Sequence, residues 1–138
     1  MKALLLAPCL ALFFCMTGCT KKNYYTNPGV TFQASAVPSN WTFDNTSNSY
    51  VLSINTPELD SYAADNYAVV VSISYLDNTG QSTGVFETIP EVYNSVAYSY
   101  TYNTGNISVY AQGVNGSALS AAPSAMIVKV AIIPSTAE

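Results

Sequence analysis

The chain has 138 residues, of which 49% are hydrophobic and 9% charged, and its formal net charge is −4. Four lysines and no arginine provide no basic patch to neutralise phosphates, which excludes nucleic-acid binding. Histidine is absent, which excludes Ser-His-Asp and Cys-His nucleophilic catalysis and metal sites built on imidazole.

Residues 1–18 have the pattern of a signal peptide. Lys2 supplies one positive charge, and residues 3–16 then contain no charged or strongly polar side chain. A membrane-spanning helix needs about 20 apolar residues, whereas the apolar region of a signal peptide needs about 7 to 15. Polar residues follow from Thr20 onward, so the stretch predicts export rather than a membrane span.

The end of this stretch, Met16-Thr17-Gly18-Cys19, resembles the lipobox of bacterial lipoproteins, although leucine is more usual than methionine at its first position. The resemblance implies cleavage between Gly18 and Cys19, a thioether-linked diacylglycerol on Cys19, and room for a further acyl chain, such as palmitate, on the new amine. Each buried methylene adds about 0.8 kcal/mol of membrane affinity, so two or three acyl chains hold a protein firmly. The alternative is an ordinary secretory signal followed by an unrelated cysteine.

Cysteine use indicates how the exported chain is stabilised. Cys9 and Cys15 leave with the signal peptide, and Cys19 is consumed by the lipid, so no disulfide can form and stability must come from a packed core. No glycine-rich phosphate loop joins a strand to a helix, so we expect neither a nucleotide nor another cofactor. The expected location is the bacterial cell envelope, on the outer membrane. No acidic run follows Cys19, which favours the periplasmic face but leaves the surface face open.

The exported chain is predicted to be one domain behind a tether. Residues 20–37 are rich in Asn, Thr, Ser, Pro and Gly and poor in large aliphatic side chains, so residues 19–37 are predicted to be the lipidated cysteine and a flexible tether. Residues 38–138 have the length of a single domain.

From Ser39 onward the hydrophobic period is two, which is typical of half-buried strands. Trp41 and Phe43 share one face of the first of these strands. The loop 45–48 is rich in Asn, Ser and Thr, and it predicts a hairpin with a second strand. The apolar face of that second strand consists of Tyr50, Leu52 and Ile54.

A short helix is predicted after this hairpin. Thr56 is suited to cap its N-terminus, Pro57 to occupy its first position, and Glu58 to lie near the positive end of its dipole. Asp65-Asn66 should end it within about two turns.

The remaining strands are predicted at 67–76, 85–89, 96–102, 107–112 and 126–133. The first of them is almost continuously apolar and should be central in its sheet. Pro90 should end the second at a sheet edge. Asp77–Gly80 and Gly105 predict turns.

Seven or so short strands with regularly spaced turns predict an antiparallel β-sandwich with one short helix. Residues 107–117 and then 126–133 resemble the closing hairpin of a fibronectin type III domain. That resemblance implies an immunoglobulin-like or fibronectin III-like sandwich. The Trp41 hairpin and the helical turn depart from that family's pattern, so a different Greek-key sandwich is the alternative.

Two acidic groupings are candidates for chemistry. Glu87 and Glu91 could form a glycosidase pair, which needs two carboxyls roughly 5 to 10 Å apart, but Pro90 lies between them. We interpret both as solvated surface carboxylates. The loop 77–81 has the oxygen-rich look of a calcium site but lacks its further acidic ligands, so we interpret it as a plain turn. No catalytic residue and no metal ligand are therefore assigned.

The eleven tyrosines are the positive indication of binding, because tyrosine presents a rigid apolar ring with a polar tip. Tyr98, Tyr100 and Tyr102 share a face with Val96, and this row is predicted to fill the space between the sheets, with Tyr100 buried. Tyr110 is predicted to be exposed and is the candidate ligand-binding residue. Ile107, Val109 and Ala111 alternate with it along the strand and form the apolar face, which places Tyr110 on the opposite face with Ser108 and Gln112.

Three classes of function remain open. A non-catalytic binding or interaction module with a glycan or protein partner is favoured, because one small sandwich without a catalytic set fits it best. A structural or assembly lipoprotein would instead expose a long unpaired strand edge or an apolar patch. An enzyme that acts on glycans with carboxylates alone comes last.

Overall fold

The computed structural model describes residues 29–135, which form two antiparallel sheets and one short helix. The predicted all-β sandwich is confirmed, with nine strands rather than about seven. The signal peptide, the lipobox with Gly18 and Cys19, and residues 20–28 lie outside the described residues.

The first sheet has four strands, and the last described strand in the chain lies in the interior of this sheet. In their order across the sheet they are β1 (Val30–Ala36), β9 (Met126–Ile133), β4 (Ala68–Tyr75) and β5 (Glu87–Thr88). β9 pairs with β4 along its whole length and with β1 from Met126 to Ile132, so Val128 lies between Ala34 and Ile73. The central position predicted for β4 and the edge position predicted for β5 are confirmed.

The second sheet has five strands. In order they are β2 (Trp41–Asp44), β3 (Ser49–Asn55), β8 (Asn106–Gly113), β7 (Val96–Asn103) and β6 (Glu91–Tyr93). The predicted Trp41 hairpin is confirmed as β2 and β3, with Trp41 opposite Leu52.

The core lies between the facing sheets and consists mainly of β-branched aliphatic residues. Alternate residues of β4, β8 and β9 are fully buried, as their period of two predicts. Each fully buried Val, Ile or Leu contributes about 1.5 to 3 kcal/mol relative to an exposed position. The fully buried members on these strands are Val71, Ile73, Ile107, Val109, Val128 and Val130.

The tether predicted for residues 19–37 is wrong for its last part, because Val30–Ala36 is strand β1 of the first sheet. Phe32 and Ala34 are half-buried and Ala36 is fully buried, while the residues between them are exposed. Alanines suffice at positions 34 and 36 because β1 is an edge strand of its sheet. The described sandwich therefore starts at Val30 rather than at residue 38.

The predicted helix is present, but it starts later than expected. Helix α1 (Ser61–Asn66) is capped by Asp60, whose Oδ1 accepts a hydrogen bond from the Ala63 amide at 2.7 Å. Thr56 is not the cap. Its side chain is fully buried and its hydroxyl donates to the Ile54 carbonyl at 2.9 Å. The predicted end at Asn66 is confirmed.

The closing hairpin expected from the fibronectin resemblance is wrong. β8 pairs with β3 and β7 in the second sheet, whereas β9 pairs with β1 and β4 in the first. The segment between them begins with a short 3-10 turn, Val114–Gly116, in which Asn115 has a φ of 62°. The chain therefore crosses from one sheet to the other at a point where a hairpin would keep it in the same sheet.

The sandwich has two distinct ends. Val30, Ile132 and α1 lie together at one end, which we call the helix end. Ala36, Met126 and Tyr75 are in register at the other, which we call the far end. Strands of this length rise by about 3.3 Å per residue, so the two ends are about 25 Å apart.

Candidate functional site

A cleft of about 240 Å³ opens at the far end, and we call it the tyrosine cleft. Tyr75 of β4, Tyr93 of β6 and Tyr98 of β7 line it, so both sheets contribute. The segment 119–124 also lines it, with side chains that are small apart from Leu119. The cleft therefore combines aromatic rings from two sheets with a wall of small residues.

The tyrosines of the cleft form a stack that continues from the core to the surface. The rings of Tyr75 and Tyr93 are nearly parallel, with centroids 3.9 Å apart and planes at 20°. The ring of Tyr98 is tilted at 60° to that of Tyr75, with centroids 6.4 Å apart. Tyr98 is 5% exposed and Tyr93 is 42% exposed. Tyr93 is therefore a solvent-facing aromatic ring supported by fixed rings beneath it.

Glu91 holds the cleft together across the two sheets. Its Oε1 accepts a hydrogen bond of 2.6 Å from the Tyr75 hydroxyl, and Glu91 itself pairs directly with Tyr98 on β7. Hydrogen bonds to an ionised carboxylate are short and about twice as strong as neutral ones. The interpretation of Glu91 as a solvated surface carboxylate is therefore wrong, because its side chain is half-buried and accepts the hydrogen bond from Tyr75. Glu87 is exposed, as predicted.

Burial controls the protonation of the inner tyrosines. It raises the pKa of Tyr98 to about 12, with smaller contributions from the negative charge of Glu91 and from Tyr93. Burial is also the largest cause that raises the pKa of Tyr75, followed by its hydrogen bond to Glu91. Both phenols therefore remain neutral hydrogen-bond donors at any physiological pH.

These raised pKa values predict that the protein loses stability in alkali. Below pH 10 the tyrosines are protonated in both the folded and unfolded chains, and their contribution to folding is fully present. Between about pH 10 and 12 the unfolded chain releases these protons while the folded chain retains them, so the free energy of unfolding must fall with pH. Thermal unfolding measured from pH 8 to 12 checks this, and a melting temperature unchanged up to pH 12 would contradict it.

The tyrosine row predicted on β7 is buried only at one end. Tyr98 is buried, Tyr100 is half-buried and Tyr102 is 39% exposed, because the row runs from the core toward the margin of the sheet. The prediction that Tyr100 is buried is therefore too strong, although the inner face assigned to the row is confirmed by the pairing of Tyr98 with Ala111.

Tyr110, the candidate ligand-binding residue, is not part of the cleft. It lies on the outer face of the second sheet between Val51 and Ser99, as strand parity predicts. It is half-buried rather than exposed, because these cross-strand neighbours cover part of its ring. Its hydroxyl lies 3.3 Å from the Thr101 Oγ1.

The loop 77–81 is a turn closed by its own aspartate. Oδ1 of Asp77 accepts hydrogen bonds from the Thr79 amide at 2.8 Å, the Thr79 hydroxyl at 2.6 Å and the Gln81 amide at 3.0 Å. The hydrogen bond from the Thr79 hydroxyl is the main cause that lowers the pKa of Asp77. In residues 29–135 no three Asp, Glu, His or Cys side chains are grouped so as to hold a metal ion.

A second depression, of about 380 Å³, lies at the helix end. It is larger than the tyrosine cleft, but its Asp60 is already used to cap α1. Tyr62, which also lines it, is 56% exposed and touches Tyr67 edge-on rather than stacking on it. We therefore take the tyrosine cleft as the candidate site.

No family model matches the chain, and no curated protein or solved structure is significantly similar to it. Within the part of the chain that the structure describes, no helix has the length and apolarity needed to cross a membrane. Function must therefore follow from the chemistry of the cleft and from its position in the molecule.

Proposed function

We propose that this chain is a non-catalytic binding lipoprotein of the bacterial cell envelope, held on the outer membrane by lipid on Cys19, with the tyrosine cleft as its ligand-binding site. The observation that supports it most is the position of the cleft. The chain enters the sandwich at the helix end, where β1 starts at Val30, and the cleft lies at the far end.

The tether length extends this argument. The stretch from Cys19 to Val30 can span at most about 40 Å when fully extended. The tether therefore joins the domain at the helix end, and the tyrosine cleft lies about 25 Å from that end along the strands. The cleft is thus at the end of the domain opposite to the point of attachment, where the tether does not cover it.

The groups in the cleft favour binding over catalysis. General acid–base catalysis works best with a group whose pKa lies near the operating pH. The inner phenols have pKa values far above neutrality, and Glu91 is engaged by Tyr75. Glu87 is exposed on β5 of the first sheet, whereas Glu91 is half-buried on β6 of the second.

A binding panel with paired variants tests the proposal. The full chain, purified in a polyoxyethylene detergent that carries no sugar, is applied to arrays of glycans and of envelope proteins. Tyr93→Ala should weaken binding of any positive ligand by about tenfold or more, since aromatic residues dominate such contacts. Tyr62→Ala removes an exposed tyrosine at the helix end and should leave the affinity within about twofold. Equal effects of the two variants would reject the cleft as the site.

A second function, assembly with other chains, is favoured by the edge strand β1. Within residues 29–135, β1 pairs only with β9, has 7 residues without a proline or a charge, and its register contains no bulge. The other three edge strands are short, with 4 residues in β2, 3 in β6 and 2 in β5. Proteins protect their sheet edges with short strands, charges, prolines or bulges, and β1 has none of these.

Thr31→Lys tests assembly through this edge. Thr31 is exposed, and a lysine there places a charge on β1 without entering the core. If β1 joins chains together, the wild-type chain should sediment as an oligomer and the variant as a folded monomer. Sedimentation velocity in detergent measures this, with Thr42→Lys on the short edge strand β2 as the matched control. A monomeric wild-type chain rejects this second function.

A further inference from the structure

The size of the tyrosine cleft limits what it can hold. Pockets for drug-sized ligands measure about 300 to 1,000 Å³, and this cleft measures about 240 Å³. It therefore takes one ring-sized group rather than an extended peptide or a large cofactor. The exposed residues that line the cleft beside Tyr93 are small and mostly polar, namely Asn94, Ser120, Ala121 and Ser124.

The chemistry of the lining combines a flat apolar face with hydrogen-bonding groups. The exposed ring of Tyr93 rests on Tyr75, which fixes its plane. Asn94, Ser120 and Ser124 bring an amide and two hydroxyls to the same cleft. A pyranose ring has the matching shape, because its C–H face packs on an aromatic ring while the hydroxyls at its circumference exchange hydrogen bonds with polar side chains.

The charges around the cleft select against anions. Glu91 lies directly beside Tyr98 and Tyr75, and its negative charge contributes to the raised pKa of both. Within the described residues the only lysine or arginine is Lys129. Its Nζ lies over the Phe86 ring, 3.7 Å from the centroid, and it alternates with the inward-facing Val128 and Val130, so it points away from the core. An anionic ligand would find a carboxylate and no cation to pair with.

We infer that the tyrosine cleft binds the terminal residue of a neutral glycan as a single uncharged sugar ring stacked on Tyr93, an inference that rests on the proposed function. Tyr75 and Glu91 act as positioning residues. The hydrogen bond between them fixes the plane on which Tyr93 is stacked.

Matched pairs of neutral and acidic sugars test the inference. The probes are the methyl glycosides of glucose and galactose and those of the corresponding uronic acids, which share the ring and differ by one carboxylate. Binding to the full chain in polyoxyethylene detergent is measured by calorimetry or saturation-transfer NMR. We expect at least one neutral sugar to bind about tenfold or more tightly than its uronic acid. Glu91→Gln keeps a side-chain oxygen that can accept the hydrogen bond from the Tyr75 hydroxyl, but it removes the negative charge. The variant should therefore show a smaller ratio between the affinities for the neutral sugar and for its uronic acid.

The outcomes separate this inference from the proposed function. A uronic acid that binds as tightly as its neutral partner, or a panel in which no neutral sugar binds, overturns the sugar assignment. If an envelope protein from the arrays then binds and loses affinity in Tyr93→Ala but not in Tyr62→Ala, the cleft is a protein site and the proposed function survives. If sugars bind equally well to wild type and Tyr93→Ala, both the inference and the cleft assignment fail.

Discussion

Cys19→Ser is expected to abolish lipid labelling and to leave either uncleaved precursor or protein that no longer sediments with the membrane. The serine hydroxyl cannot form the thioether that the lipobox resemblance implies. Each acyl chain contributes about 0.8 kcal/mol per buried methylene, and without such chains nothing else is proposed to hold the domain on the bilayer. Metabolic labelling with a palmitate analogue, followed by membrane fractionation, measures both effects.

Cys9→Ser and Cys15→Ser are the matched controls for the anchor. Both cysteines lie within the predicted signal peptide, so the processed protein should be labelled as in the wild type. Labelling that survives in Cys19→Ser would show that the anchor assignment is wrong. An unlabelled precursor, or unlabelled protein that leaves the membrane, would support it.

The strands that sequence reasoning identified are those whose inner faces carry large aliphatic or aromatic side chains. Met126–Ile133 was predicted at its observed bounds because four of its residues alternate as buried Met, Val and Ile. β1 escapes detection because Phe32 is the only aromatic or long aliphatic side chain on its inner face. β6 has 3 residues, too few for a period of two to appear. The hydrophobic period of two therefore reveals a strand only where large side chains fill the core.

Only part of the candidate site could be predicted from the sequence. Strand parity placed Tyr98 on the inner face, and the same parity continued by one step beyond Ile73 places Tyr75 there as well. The contact of Tyr75 with Tyr93 and Glu91 could not be predicted, because it joins β4 of one sheet to β6 of the other. Such contacts depend on how the two sheets pack, which no local pattern contains.

Tyr100 has a structural role that its position in the tyrosine row did not indicate. Its hydroxyl donates to the Val69 carbonyl of β4 at 2.6 Å, across the gap between the sheets. β5 pairs with β4 only at Ser72 and Ile73, and the Ile89 amide then donates to the Val71 carbonyl. The Val69 carbonyl lies beyond the reach of this short strand, so the phenol provides the hydrogen bond that a longer neighbour would have supplied.

Tyr100→Phe is therefore expected to lower the free energy of unfolding by about 1 to 3 kcal/mol, the cost of leaving a buried acceptor unpaired. Tyr110→Phe is the matched control, since Tyr110 is also half-buried but its hydroxyl contacts only the exposed Thr101, and its effect should stay within about 0.5 kcal/mol. Both rings are half-buried, so replacing them with alanine would remove packing contacts at both sites. The phenylalanine variants keep the rings, and the comparison therefore isolates the two hydroxyls. In thermal unfolding, each kcal/mol corresponds to about 4 to 8 °C for a domain of this size. Equal losses in the two variants, or a larger loss for Tyr110→Phe, would show that the bond from Tyr100 to Val69 does not stabilise the contact between the sheets.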